Sequence, residues 1–119
     1  MAAETGIGEE LAAWGKVALL ETTGRMSGRP VTAAVGFVEA EDGSLYVAAG
    51  SDSSDWGLNL RAEPRCRVTI GDRVRSFVSA EVDEGTERSR ALTQLILKYG
   101  TPAERLGRGP VFRLTNAQP

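Results

Sequence analysis

Alternating apolar and polar positions dominate this chain, and a helical period interrupts them only briefly. Arg65 to Ile70 alternates cleanly, with Cys66, Val68 and Ile70 on one face, which predicts a half-buried strand. Val74 to Val82 alternates as well and predicts Val74, Ser76, Val78, Ala80 and Val82 on one side. Val17 to Thr23 is apolar and then threonine-rich, a strand signature. Val31 to Glu39 is nearly all small or apolar and predicts a strand buried on both faces. Leu45 to Ala49 and Val111 to Leu114 bring the expected strands to six. The period changes at Thr86 to Tyr99, where Leu92, Leu95, Ile96 and Tyr99 follow i, i+3, i+4, i+7 spacing and Gly100 and Pro102 stop the helix. Asp55 to Arg61 predicts a shorter helix of one or two turns, capped from the polar loop before it and ended by Pro64. Glu9 to Lys16 predicts another short helix, with Leu11 and Trp14 three apart on one face.

Turn chemistry joins these elements. Gly24 to Pro30 carries two glycines and a proline and reads as a tight connection. Asp42-Gly43 and Gly71-Asp72 mark hairpin turns. About six short-linked strands with one long helix late in the chain predict a mainly β fold, a small antiparallel barrel with helices. A barrel leaves few open edges and can present a ligand groove on its wall. The 119 residues suffice for one domain, placed at 17–119 behind a partly helical N-terminal segment at 1–16. A core of this size is modestly stable, so a homodimer fits.

Composition then narrows the function. The 14 basic and 16 acidic residues give a net charge of -2, and aromatics are only 6%, which argues against a nucleic-acid surface or a base-stacking platform. With no histidine, histidine triads, histidine metal ligands and a histidine-ligated haem are excluded. A single cysteine, Cys66, excludes an intrachain disulfide and a CxxC site, and no metal site is expected. No apolar run approaches the roughly 18–20 residues of a membrane span. The acidic N-terminus does not look like a signal peptide, so a cytoplasmic protein is expected. Arginine outnumbers lysine 12 to 2, which suits bidentate phosphate or carboxylate contacts and equally suits a codon-usage bias.

Four segments could carry chemistry. The run Thr22-Thr23-Gly24-Arg25-Met26-Ser27-Gly28-Arg29-Pro30 offers amides, hydroxyls and two guanidinium groups to a phosphate; it lacks a P-loop ending and is equally a hairpin turn with solvated arginines. In Asp55 to Arg61, Trp56, Asn59 and Leu60 share a helical face, so Trp56 could lie on a flat ring and Asn59 read its polar edge; a core tryptophan beside a capping asparagine is the plainer alternative. Ala48-Ala49-Gly50-Ser51 is small enough for a ligand to reach the backbone, or simply packs closely. Arg61, Arg65, Arg67, Arg73 and Arg75 form either a solvated strand face or a dock for an acidic tail. Cys66 reads as a buried structural thiol, and Tyr99 as a core residue or a proton donor at a groove mouth.

In order and spacing these segments resemble the deazaflavin-dependent nitroreductase family. Leu20 to Pro30 is similar to the family's signature loop. Gly36-Phe37-Val38, Leu45 to Ala49, the run Trp56-Gly57-Leu58-Asn59-Leu60-Arg61-Ala62-Glu63-Pro64, and Val111 to Leu114 fit it too. The resemblance covers roughly residues 17 to 115. It implies a split β-barrel like that of the flavin-mononucleotide oxidases and a 5-deazaflavin coenzyme, F420, that gives a hydride to a nitro, quinone or enone acceptor. A flavin-mononucleotide (FMN) oxidoreductase on the same barrel and a non-catalytic deazaflavin-binding protein are the alternatives. Carried over by position, the resemblance places Arg25, Met26, Ser27 and Arg29 at the coenzyme's phosphate and acidic tail, with Met26 standing where a basic residue is usual. It places Ala48, Ala49, Gly50 and Ser51 along the ring, Trp56 and Asn59 beside it, and Arg61 near the tail. Asp52, Ser53 and Ser54 replace the usual lysine and glycines. Tyr99 is left as the one tyrosine near the acceptor side.

Overall fold

The computed structural model describes residues 15–82, 85–100 and 108–117. Among them run β1 (Ala18–Thr23), β2 (Pro30–Val35), β3 (Val38–Glu39), β4 (Leu45–Ala48), α1 (Asp55–Ala62), β5 (Arg65–Ile70), β6 (Arg73–Val82), α2 (Thr86–Tyr99) and β7 (Val111–Asn116). The seven strands form one antiparallel sheet in the order β2-β1-β5-β6-β7-β4-β3. β2 and β3 lie at opposite edges, yet only Gly36 and Phe37 separate them in the chain. So short a link draws the edges together, and the sheet curls into a half-barrel. This is the mainly β architecture expected from the pattern, in the split-barrel form that the resemblance implied. The expected helix over Glu9–Lys16 lies almost wholly outside the described residues; Gly15 forms a turn at φ 78°.

The inner face buries Leu20, Leu45, Val47, Val68, Phe77, Phe112 and Leu114, each at most 2% exposed. α1 closes one side with Leu60 and Trp56, whose ring centroid lies 6.0 Å from that of Phe112. α2 lies outside the sheet, where Ala91 packs with Val82 and Val111.

One expectation is corrected. The strand read over Val31 to Glu39 as buried on both faces is two strands, and β2 is largely exposed because it is an edge. The chain breaks at Gly36 because the Tyr99 ring lies against it: a Cβ there would sit 3.0 Å from Tyr99 Cε2. On β6 the side that carries Val74, Ser76, Val78, Ala80 and Val82 is the outer one. Cys66 points inward and pairs with Phe77, whereas exposed Arg65 pairs with Val78. Facing partners share a side, so Phe77 and Ser79 are inside. Val74 and Val78 are exposed, and Val82 is covered only because α2 lies over it.

Cys66 is buried, and desolvation pushes its thiol up to about 12. The thiolate is the nucleophile. Native protein held with iodoacetamide at pH 8 is therefore expected to show no mass increase, and guanidinium-unfolded protein one adduct. Rapid labelling of the native state would contradict the burial.

Candidate functional site

The loop between β1 and β2 is shaped by its own hydrogen bonds. The Gly24 N–H donates to Arg29 O at 2.8 Å, and the Gly28 N–H donates to Gly24 O at 2.8 Å. Ser27 Oγ accepts from the Arg29 N–H at 3.1 Å. Gly28 sits at φ 73°, a region where a side chain is strained, and a Cβ at Gly24 would lie 2.7 Å from Ser27 Oγ. Met26, Ser27 and Arg29 are exposed at its tip, Met26 by 93%.

Arg25 turns back from the tip towards α1. Its N–H donates to Asn59 Oδ1 at 3.1 Å, and its Nη1 donates to the same oxygen at 2.8 Å. Nη1 also reaches Asp55 O at 3.3 Å, and Nη2 pairs with Asp55 Oδ1 at 3.3 Å. Asn59 Nδ2 donates to Thr22 Oγ1 at 3.1 Å. Asn59 and Thr22 are each 2% exposed, so this amide is a buried staple joining α1, β1 and the loop.

The other flank of α1 meets the end of β4. A Cβ on Gly57 would lie 3.6 Å from Ala49 Cβ and 3.7 Å from Phe112 and Pro110, so the helix approaches closely here. The Ala49 N–H donates to Pro110 O at 2.9 Å. Beyond buried Ala49, Gly50 and Ser51 are exposed, and a Cβ on Gly50 would meet nothing within 4 Å. Ala48 is half-buried and outward, against the α2 cluster. α1 thus touches the 24–29 loop on one flank, at Arg25, and the 48–51 strand end on the other, at Ala49.

Of the arginine run, Arg61, Arg65, Arg67 and Arg75 are matched by the chain's own acids. Arg61 makes a bidentate bridge to Glu81, with Nε to Oε1 at 2.9 Å and Nη2 to Oε2 at 2.8 Å. That guanidinium holds the Glu81 carboxyl below its ordinary value. Asp52 lies 4.0 Å from the same Arg61, which offsets the acid at this strand end. Arg65 pairs with Glu63, Arg67 with Glu21, and Arg75 with Glu39 at 3.8 Å while stacking over Phe77. The strand reads as a face of internal ion pairs.

Tyr99 is corrected. Its hydroxyl donates to Lys16 O at 2.7 Å and accepts from the Phe37 N–H at 3.0 Å, and burial pushes it above its ordinary value. Both partners are backbone groups beyond the Ala18–Val35 end of the β1–β2 hairpin, whereas the 24–29 loop closes the Thr23–Pro30 end. About 17 Å of strand separates them. Tyr99 clasps the crossover between β2 and β3 and does not join the cluster. Sequence reasoning included Thr22 and Asp55 in these segments but gave neither a role of its own. An inward threonine in an apolar strand needs a partner, and that was the available signal for Thr22.

The chain is thus a curled antiparallel half-barrel whose glycine–arginine loop is stapled to a short helix beside a small-residue strand end. A profile of the F420H(2)-dependent quinone reductase family matches residues 1–108, and the chain belongs to that family. Among solved structures, the F420-H2 dependent reductase FDR-A is 28% identical, covers 83% of this chain and 93% of its own, and superposes with a TM-score of 0.70. Two others share the fold. The haem storage protein HutZ from Vibrio cholerae has 22% identity, 98% and 91% coverage and a TM-score of 0.73. A domain-swapped dimer has 24% identity, 95% and 97% coverage and a TM-score of 0.69. The chain is thus an F420H2-dependent reductase, an oxidoreductase, and its cofactor is F420. The residues fit that group: the exposed loop offers cations and hydroxyls to its anionic part, and Gly50 leaves open space for a flat ring. Among the described residues no helix is long and apolar enough to cross a membrane.

Proposed function

We infer that this reductase delivers a hydride from F420 to a quinone, nitro or enone acceptor bound beside the strand end at 48–51. The observation that carries the reading is that α1 touches both halves of the site, Arg25 through Asn59 and Ala49 through Gly57. When bound, the reduced coenzyme supplies the hydride from its C5 carbon, and the protein supplies orientation and electrostatics. Arg25, Ser27 and Arg29 hold the coenzyme's anionic groups, with Met26 contributing contact rather than charge. Ala48, Ala49, Gly50 and Ser51 border the ring, and the exposure of Gly50 and Ser51 lets water supply the proton. Trp56 walls the ring, Asn59 acts through Arg25, and Arg61 fixes the strand end through Asp52 and Glu81. A reducing cytoplasm suits the buried thiol, and a homodimer suits the exposed Val74 and Val78.

The test is a titration of the full chain with F420 and, in parallel, with FMN, read by tryptophan fluorescence, followed by turnover with quinone, nitro and enone acceptors. Saturable micromolar binding of F420 alone, with reduction of at least one acceptor class, is expected. Binding without turnover would leave a coenzyme carrier, and binding of FMN alone would overturn the reading. Gly50→Val is a sharper probe. A Cβ there meets no protein atom, so stability should stay within about 0.5 kcal/mol of wild type, as for a surface substitution. Affinity for F420 should fall at least tenfold. Unchanged affinity would move the ring away from this strand end.

A further inference from the structure

The two η nitrogens of Arg25 are held in unlike ways. Nη1 is fixed by Asn59 Oδ1 at 2.8 Å and by the Asp55 carbonyl at 3.3 Å, one a buried amide and the other helix backbone. Nη2 faces the Asp55 carboxylate at 3.3 Å, long for a charge-assisted bond. The Asp55 side chain is 83% exposed and that of Arg25 33%. An exposed pair with this geometry contributes little, so the carboxylate can leave the guanidinium easily. It cannot take Arg25 with it, because Asn59 is anchored to Thr22 on β1.

We propose that Asp55 is an intramolecular stand-in for the coenzyme's anionic group. It holds the Nη2 edge of Arg25 in the free protein and gives way to a phosphate or carboxylate of the coenzyme, while Asn59 keeps Nη1 and the direction of the guanidinium. This rests on the reading that the 24–29 loop holds the coenzyme's anionic part. Asp55 then moderates affinity, because each binding event replaces one carboxylate contact with another anion's. Asn59 is a positioning residue, since it acts through Arg25.

The two readings separate in one set of binding titrations with oxidised F420 at low salt, each variant first shown by thermal melting to be folded. Arg25→Ala is expected to weaken binding about tenfold or more, the loss of a charged hydrogen bond. Asp55→Asn, which keeps a polar residue in the first helical turn, is expected to tighten binding about two- to fivefold, the worth of an exposed pair. That gain should shrink as salt is raised, and it should vanish in the Arg25→Ala background. Asp72→Asn, the same charge change at the β5–β6 turn, should leave affinity unchanged. If Arg25→Ala weakens binding but Asp55→Asn does not tighten it, the stand-in fails and the loop reading stands. If Asp55→Asn tightens binding equally with and without Arg25, Asp55 merely repels the coenzyme and the stand-in also fails. If Arg25→Ala binds as wild type, the loop reading falls and takes the proposal with it.

Discussion

Asn59→Ala is expected to cost about 2–4 kcal/mol and to lower the melting temperature by about 10 °C. The side chain is 2% exposed and makes three hydrogen bonds, two accepted from Arg25 and one donated to Thr22. Alanine would leave the Thr22 hydroxyl, itself 2% exposed, without that partner. Leaving a buried polar group unsatisfied costs more than its hydrogen bond contributed. A cavity between α1 and β1 adds to the loss. Asn59→Asp separates packing from polarity, because a carboxylate still accepts from Arg25 and the Thr22 hydroxyl can turn to donate. Its melting temperature should fall by less than half as much. Coenzyme affinity should follow the same order, and Asn59→Ala combined with Arg25→Ala should be no weaker than the worse single variant, since both remove one coupled unit. A melting temperature for Asn59→Ala within about 2 °C of wild type would show that the staple contributes nothing to the fold.

The reach of the sequence is visible in these residues. Local patterns placed β5, α2, the Asp42-Gly43 turn and the Gly24–Pro30 loop correctly, because each is set by neighbours a few positions away. The edge position of β2 was hidden because strand order is a long-range property; Val31-Thr32-Ala33-Ala34-Val35 looks the same at an edge or a centre. The face of β6 was hidden because both of its alternating sets contain apolar residues, and only the register Cys66↔Phe77 decides between them. At the site, the segments were legible but their wiring was not. Arg25 and Asn59 are 34 positions apart, and nothing local tells a stapling asparagine from one that faces a ring. The arginine strand misleads for the same reason, since Arg61 finds Glu81 and Arg67 finds Glu21 only after folding.

Gly109→Ala is expected to damage fold and site together. Gly109 is buried and directly precedes Pro110, whose carbonyl accepts the Ala49 N–H. A Cβ there would run into the Ala49 carbonyl oxygen, 2.6 Å from Ser51 N and 2.9 Å from the Ala49 carbonyl carbon. All three are backbone atoms, so no rotamer change relieves the overlap. Either the strand end at 49–51 moves outward, or residues 109–110 peel away and lose the Ala49–Pro110 bond. Overpacking against backbone together with a broken buried hydrogen bond costs about 3 kcal/mol or more. The melting temperature should fall by about 10 °C or more. The functional loss should outlast the stability loss. At a temperature where the variant is still folded, a strand end displaced by about 1 Å should reduce turnover about a hundredfold. Gly50→Ala, at the same strand end but in open space, is the matched comparison for the fold and should leave the melting temperature nearly unchanged. A Gly109→Ala variant with full turnover would mean that the end of β4 does not border the coenzyme. One with an unchanged melting temperature would mean that residues 109–110 do not pack on β4 as described.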